Sequence, residues 1–240
     1  MMKGIVFALL LSGAFAVPMS PEDIDLEKQL WENENVIEGD ILVLPTSERL
    51  AALKRAPKWP NGLVPYDIDS TAEYYRGTIE QTIKHIEDNT CIRFKKAQGE
   101  RSRVTFTETI YCQSYIGRTG VNQKIEIAPH CDNIAAMAHE ILHALGFVHE
   151  HRRSDRDSYV TINYQNIPSR NTKSFKKYYP NENRLLNTFD YESVMLYGEY
   201  NGSNGNGKAM EAKNHRILRL EEKPGLSRGD IDKINEYYNC

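Results

Sequence analysis

The sequence predicts one α+β domain: a sheet with two helices in its N-terminal half, then an irregular C-terminal half closed by a final helix. Three observations lead there. Apolar residues recur at helical spacing in two separate stretches of the first half. Short runs of β-forming residues stand between those stretches. The second half keeps neither period until its last residues, and no repeat or heptad occurs anywhere.

In order along the chain, Ser70 and Thr71 open TAEYYRGTIEQTIKHIEDN, where Tyr75, Ile79, Ile83 and Ile86 share one helical face. CIRF (91–94), VTFT (104–107) and KIEIA (124–128) read as strands, and 124–128 is expected at the sheet edge. Asp132 and Asn133 are good caps for a second helix through AAMAHEILHAL, with Gly146 placed to end it. A last helix starts at Ser227, with Ile231, Ile234 and Tyr238 on one face.

The ends of the chain read differently from this body. Residues 1–16 have Lys3, the apolar run GIVFALLLSGAFA and small residues at Ala14 and Ala16, the pattern of a signal peptide. Residues 17–49 hold nine Asp/Glu against Lys28 and Arg49, a net −7, whereas 50–240 carries +3. An acidic strip ahead of a mildly basic body suits a pro-segment that lies across the body and is later removed. The net charge of −3 and the 26% of charged residues give a nucleic-acid binder no support. The leader's apolar run is too short for a membrane anchor. The expectation is a secreted, extracellular protein, monomeric, with no membrane or nucleic-acid partner.

Secretion makes the four cysteines, Cys91, Cys112, Cys131 and Cys240, disulfide candidates with three possible pairings. Their spacing is neither that of a zinc finger nor of a redox pair. Asn201-Gly202-Ser203 is a sequon in a Gly/Asn-rich stretch and marks a possible glycosylation site at Asn201.

The segment HEILHALGFVHE (139–150) concentrates chemistry that a buried helix would otherwise avoid. His139 and His143, four apart, lie one above the other on a helix and can face a single ion. A helix that ended at Gly146 would swing His149 back as a third ligand. Three protein ligands leave a fourth position open, the mark of a catalytic zinc site. Glu140, one residue round the helix, is placed to hydrogen-bond a water on that ion and act as general base. His85, His130, His151 and His215 are isolated and read as surface or packing residues.

The extended motif, followed later by a Met in a tight turn, resembles the metzincins. Glu150 after the third histidine makes it similar to the astacin family in particular. NTCIRF (89–94), SYIGR (114–118), HEHRRSDRDSYVTINYQNI (149–167) and FDYESVMLYG (189–198) extend the likeness over 59–240. The resemblance implies a two-subdomain metzincin fold with an active-site cleft between the halves. It implies a catalytic domain at 50–240 and a secreted zinc metalloendopeptidase acting on proteins or peptides, made as a latent zymogen. One Zn2+ would sit on His139, His143 and His149, with Glu140 as base. Met195 would form the Met-turn, and Tyr197 would ligate zinc at rest and then stabilise the oxyanion.

The resemblance further pairs Cys91 with Cys240 and Cys112 with Cys131. Asp40 in VIEGDI (36–41) would block the zinc as the zymogen switch. An activating protease would cut near Arg49, and the new N-terminus would be buried beside Glu150. Two positions depart from the family: Leu196 stands where it usually has His, and Gln113 where it has Trp. The competing readings are a catalytically inactive secreted binding protein on the same scaffold and a non-proteolytic zinc hydrolase. Lys173, Lys176, Lys177 and Arg184 suggest a preference for acidic residues near the cut.

Overall fold

The computed structural model describes residues 36–43, 56–182 and 185–240. The leader, most of the acidic segment and the Arg49–Ala51 boundary lie outside the described residues. The strands are β1 (Val36–Ile37), β2 (Ile41–Leu42), β3 (Leu63–Ile68), β4 (Arg93–Lys96), β5 (Arg103–Glu108), β6 (Gln113–Tyr115), β7 (Asn122–Ile127), β8 (Val160–Ile162) and β9 (Met210–Ala212). The α-helices are α1 (Arg76–Asn89), α2 (Ile134–Leu145) and α3 (Arg228–Tyr238).

Seven strands form one sheet in the order β1-β2-β6-β7-β5-β3-β4. β3, β4, β5 and β7 run parallel, while β6 lies antiparallel to β7. α1 and α2 pack on this sheet through Ile79, Ile83, Ile86, Ile141, Leu142 and Leu145, against Phe106, Ile125 and Ile127. A second core, centred on Phe175, Leu196 and Met210, fills the C-terminal half with the β8–β9 pair. The expected α+β architecture is present, with a sheet-and-helix half and a largely irregular half.

Several elements differ from expectation. The strand at 124–128 is not an edge: β7 is flanked by β5 and β6, and β6 is flanked in turn by β2, which pairs with it in parallel. The first helix becomes α-helical only at Arg76, after a 3₁₀ turn over Ser70–Tyr75 whose cap is Asp69, accepting from the Thr71 N–H. The strand expected at 91–94 begins at Arg93, because Cys91 and Ile92 still follow the end of α1, with Thr90 Oγ1 accepting from the Ile92 N–H.

β3 was not legible because it contains Pro65, which cannot donate in a ladder. It is tolerated here because β3 pairs β4 over 63–66 and β5 over 66–68, so Pro65 faces only one partner strand. Both implied disulfides are present. Cys91–Cys240 ties the end of α3 to the start of β4, and Cys112–Cys131 ties the start of β6 to the 3₁₀ turn over Pro129–Cys131 ahead of α2.

α2 starts where Asn133 Oδ1 accepts from the Ala136 N–H at 2.9 Å. It ends at Gly146, whose φ of 103° only glycine adopts freely. A Cβ there would also stand 3.3 Å from that of Ala56. The exposed side of this helix is nearly absent: every residue from Ala135 to Leu145 is buried. Gly146→Ala is therefore expected to lower the unfolding free energy by about 1–3 kcal/mol. Because the bend aims His149, it should weaken zinc affinity too; chelator competition and urea unfolding on the same protein measure both.

Candidate metal centre

His139 and His143 leave α2 one turn apart, and the left-handed Gly146 turns the chain so that His149 meets them. The His139 and His143 Nε2 atoms are 3.1 Å apart, and those of His139 and His149 3.3 Å. A tetrahedral zinc with nitrogens at about 2.0–2.1 Å sets neighbouring ligands about 3.3–3.4 Å apart. The spacing fits.

The other ring nitrogens decide what faces inward. His139 Nδ1 donates to the Val194 carbonyl at 2.7 Å and His143 Nδ1 to the Phe147 carbonyl at 2.8 Å. His149 Nδ1 donates to Glu38 Oε2 at 2.8 Å. With Nδ1 holding the hydrogen, an imidazole in its neutral form presents a lone pair at Nε2, and three such lone pairs within touching distance repel unless positive charge, a cation or a proton, lies among them.

Asp40 completes the cluster from the fourth side. Its Oδ2 lies 3.3 Å from His139 Nε2 and 3.1 Å from His149 Nε2, and its Oδ1 3.4 Å from His143 Nε2. Among the described residues these four form one group whose ligand atoms all lie within 4.8 Å of one another. Two buried carboxylate oxygens there have no hydrogen bond, Asp40 Oδ1 within the group and Glu140 Oε2 on the residue that follows His139. Three imidazoles and a carboxylate around such orphans are a donor set suited to zinc.

The electrostatics agree. Burial disfavours an imidazolium at His149, but Asp40 and Glu38 on its two sides outweigh it and lift its pKa to about 9. Burial dominates at His143 and pushes it down to about 4. Burial also opposes ionisation of Asp40, yet the His149 charge and contacts from three histidines hold it well below the usual carboxylate range. The site draws in positive charge.

Comparison with known proteins places this geometry. Residues 51–239 match the Astacin peptidase family. Astacin-like metalloprotease toxin 2 of Loxosceles intermedia is 32% identical over 250 residues, covering 100% of this chain and 97% of that protein. The chain belongs to the astacin family of zinc metalloendopeptidases. Astacin-like metalloendopeptidase of Gallus gallus is 36% identical over 92% of this chain and 58% of its own length. The structure of high choriolytic enzyme 1, a hatching enzyme zinc-protease from Oryzias latipes, superposes with a TM-score of 0.69 at 34% identity, covering 79% of this chain and 96% of that one.

The remaining astacin positions fall around the histidines. Glu140 is buried, and burial followed by the charge of Asp40 raises its carboxyl well above the ordinary range. Met195 lies in the main core, and its carbonyl accepts from the Glu150 N–H at 2.9 Å. The Tyr197 hydroxyl donates to the Glu38 carbonyl, and its ring centroid lies 4.4 Å from that of His149. Glu150 is buried and receives Lys233 Nζ at 2.6 Å, with Arg153 at 3.4 Å. Of the two departures, Leu196 is fully buried in the second core, and Gln113 is buried with its amide donating to Glu126. Asn201 is exposed.

His151, read from the sequence as a surface or packing residue, is wholly buried, its ring centroid 4.2 Å from that of Tyr197. Three further neighbours of the site escaped the sequence reading. Arg152 holds Glu38 at 2.6 Å. Lys233 neutralises Glu150. Asp230 accepts from Ser193 Oγ at 2.5 Å and from the Val194 N–H at 2.9 Å, while also capping α3 with Ser227. The same Val194 supplies the carbonyl that orients His139. Only the capping pattern of Ser227 and Asp230 could have been noticed in advance.

Asp230→Ala would leave a hydroxyl and two N–H groups buried without their acceptor. A loss of about 3 kcal/mol or more in chemical unfolding of the metal-free chain is expected. A loss below 1 kcal/mol would mean that water replaces the carboxylate.

Proposed function

We propose that this astacin is made as a latent, secreted zymogen whose pro-segment, residues 17–49, shuts the metal centre through Asp40. The single observation that supports the reading is the Asp40 carboxylate lying on the fourth side of the three histidines, against all three Nε2 atoms. A turn at Glu38 and Gly39, both left-handed, delivers it there between β1 and β2. β2 then occupies the outer edge of β6, where an extended substrate would add as a strand.

Removal of the segment by a cut near Arg49 would free four things at once: the edge of β6, the fourth side of the histidine cluster, the Tyr197 hydroxyl and the surroundings of Glu140. His139, His143 and His149 would hold a single zinc, which when bound supplies a Lewis acid and lowers the pKa of a water toward about 7. Glu140, no longer beside the Asp40 charge, takes a proton from the attacking water and passes it to the departing amine nitrogen as the C–N bond breaks. Tyr197, released from the Glu38 carbonyl, donates to the carbonyl oxygen as it gains charge. Burial keeps that phenol well above its usual pKa, so it remains a donor.

The new N-terminus, near Leu50, would approach Glu150 on the buried face where Lys233 now sits. Extracellular work is supported by the leader-like 1–16, by the two disulfides and by relatives named as a toxin and a hatching enzyme. Among the described residues no helix is long and apolar enough to cross a membrane.

The full chain and its Asp40→Ala and Glu140→Ala variants, each loaded with zinc, test this on a mixed peptide library before and after limited proteolysis. Uncut Asp40→Ala should cleave at least about tenfold faster than the uncut parent, the reverse of what a merely structural aspartate would give. Glu140→Ala should lose about 10²–10⁴-fold in kcat after the cut. Equal rates for cut parent and cut Glu140→Ala would leave the inactive binding scaffold as the better reading.

A further inference from the structure

The C-terminal half carries a second concavity, separate from the metal centre. It is an open groove of about 770 Å³, lined by β8 and by the stretch 176–180. Tyr178 stands between the two places: its ring lines the groove, and its hydroxyl reaches Glu38 beside the histidines.

Four basic side chains line this groove, Arg156, Lys176, Lys177 and Lys213, against the single carboxylate of Asp157. That one residue is already shared. Lys177 Nζ donates to Asp157 Oδ2 at 2.5 Å and Arg156 Nε to its Oδ1 at 3.0 Å, while Lys213 Nζ donates to the Asp157 carbonyl at 2.5 Å. One carboxylate does not balance four cations, so the groove favours an incoming anion.

The kind of cation narrows the ligand. Arg156 belongs to the fold: it is buried, and its guanidinium also donates to the His151 carbonyl at 2.8 Å and to the Tyr164 hydroxyl at 3.3 Å. The other three are exposed lysines, point charges on flexible stems. They suit anionic groups repeated along a chain, whereas a single carboxylate is gripped best by the fork of an arginine. Two tyrosines face the same groove, Tyr164 at 47% exposure and Tyr179 at 71%. Rings left so open to water beside cations offer a platform to a ligand with one apolar face and charged edges. A sugar ring has such a face in its C–H bonds, and a sulfated polysaccharide carries its charges at regular intervals.

We propose that this groove binds an anionic polysaccharide, with its charged groups on Lys176, Lys177 and Lys213 and its sugar faces on Tyr164 and Tyr179. The site uses no metal ligand and no residue of the proposed pro-segment. Its occupant is a tether, not a substrate, and would hold the chain on a polyanionic matrix with the metal centre close by. Of the lysines that suggested acidic residues near the cut, Lys176 and Lys177 thus serve a surface on the far side of Tyr178. Lys173 is exposed outside the groove lining, and the side chain of Arg184 lies outside the described residues.

The test reads binding directly, on the zinc-loaded full chain before and after limited proteolysis. Its probes are a labelled, size-defined sulfated glycosaminoglycan, an uncharged polysaccharide of the same length, and poly-glutamate of matched charge as competitor. Anisotropy should show the sulfated chain bound at least about tenfold tighter than the uncharged one, with affinity falling steeply as salt rises. Replacing Lys176, Lys177 and Lys213 together by Gln should weaken binding at least about tenfold and flatten the salt dependence. The same triple change at the exposed Lys84, Lys96 and Lys124, equal in net charge, should cost less than about twofold. Tyr179→Ala should weaken binding at least about threefold with the salt dependence unchanged.

Equal losses in the two lysine triples would mean that net charge alone is felt, and would overturn the proposal. Parental affinity in Tyr179→Ala removes the stacking that selects a saccharide, and overturns it too. Displacement by poly-glutamate as readily as by unlabelled sulfated chain would assign the groove to an acidic protein instead. The ligand comparisons need only the parent protein, so equal binding of charged and uncharged chains, or no binding before or after proteolysis, decides against the site even where a variant fails to fold.

Discussion

Everything in this molecule depends on the orientation of three imidazole rings. A ring that donates from Nδ1 must face the centre with its Nε2 lone pair, and three such lone pairs at hydrogen-bond distance are stable only around positive charge. The acceptors that impose this come from three distant places: Phe147 just beyond α2, Val194 in the C-terminal half, and Glu38 in the segment between β1 and β2. The fold can be read as the means of bringing those three acceptors together. Gly146 turns the chain between the second and third histidines, and Asp230 fixes Val194 from the far end.

The segment between β1 and β2 meets an electrostatic constraint as well as a steric one. Two carboxylates two residues apart, Glu38 and Asp40, reach opposite nitrogens of His149. Burying both would be costly alone, but Arg152 and the imidazoles supply matching charge, and both acids stay ionised despite burial. The left-handed φ of 60° at Glu38 is tolerated because its side chain and its carbonyl are both held, by Arg152 and by Tyr197. In the proposed zymogen, latency would thus use groups that the open enzyme needs for other work.

The sequence revealed what is local. The three histidines, Glu140 and the end of α2 at Gly146 all lie within twelve consecutive residues, where helical spacing suffices to place side chains. Asn133 and Ser227 announced their helices as caps. What stayed hidden depends on contacts far apart in the chain. Pro65 masked β3, because only the pairing map shows that it faces a single neighbour. β7 was misplaced at the sheet edge, since β6 beside it, a strand of three residues, leaves almost no periodic trace. Arg152, Asp230 and Lys233 look like ordinary surface charges in one dimension, and are paired only when Glu38, Val194 and Glu150 arrive from elsewhere.

The position of α3 has a consequence for how the chain is made. A polypeptide interrupted between Tyr197 and Ser227 would already contain His139, His143, His149, Glu140 and Tyr197, and so the whole chemical apparatus. It would lack Asp230, which secures Val194, and Lys233, which neutralises Glu150. Such a fragment has the ligands without the frame that aims them. Translation errors and premature stops ahead of α3 therefore yield loose histidines rather than a rogue hydrolase.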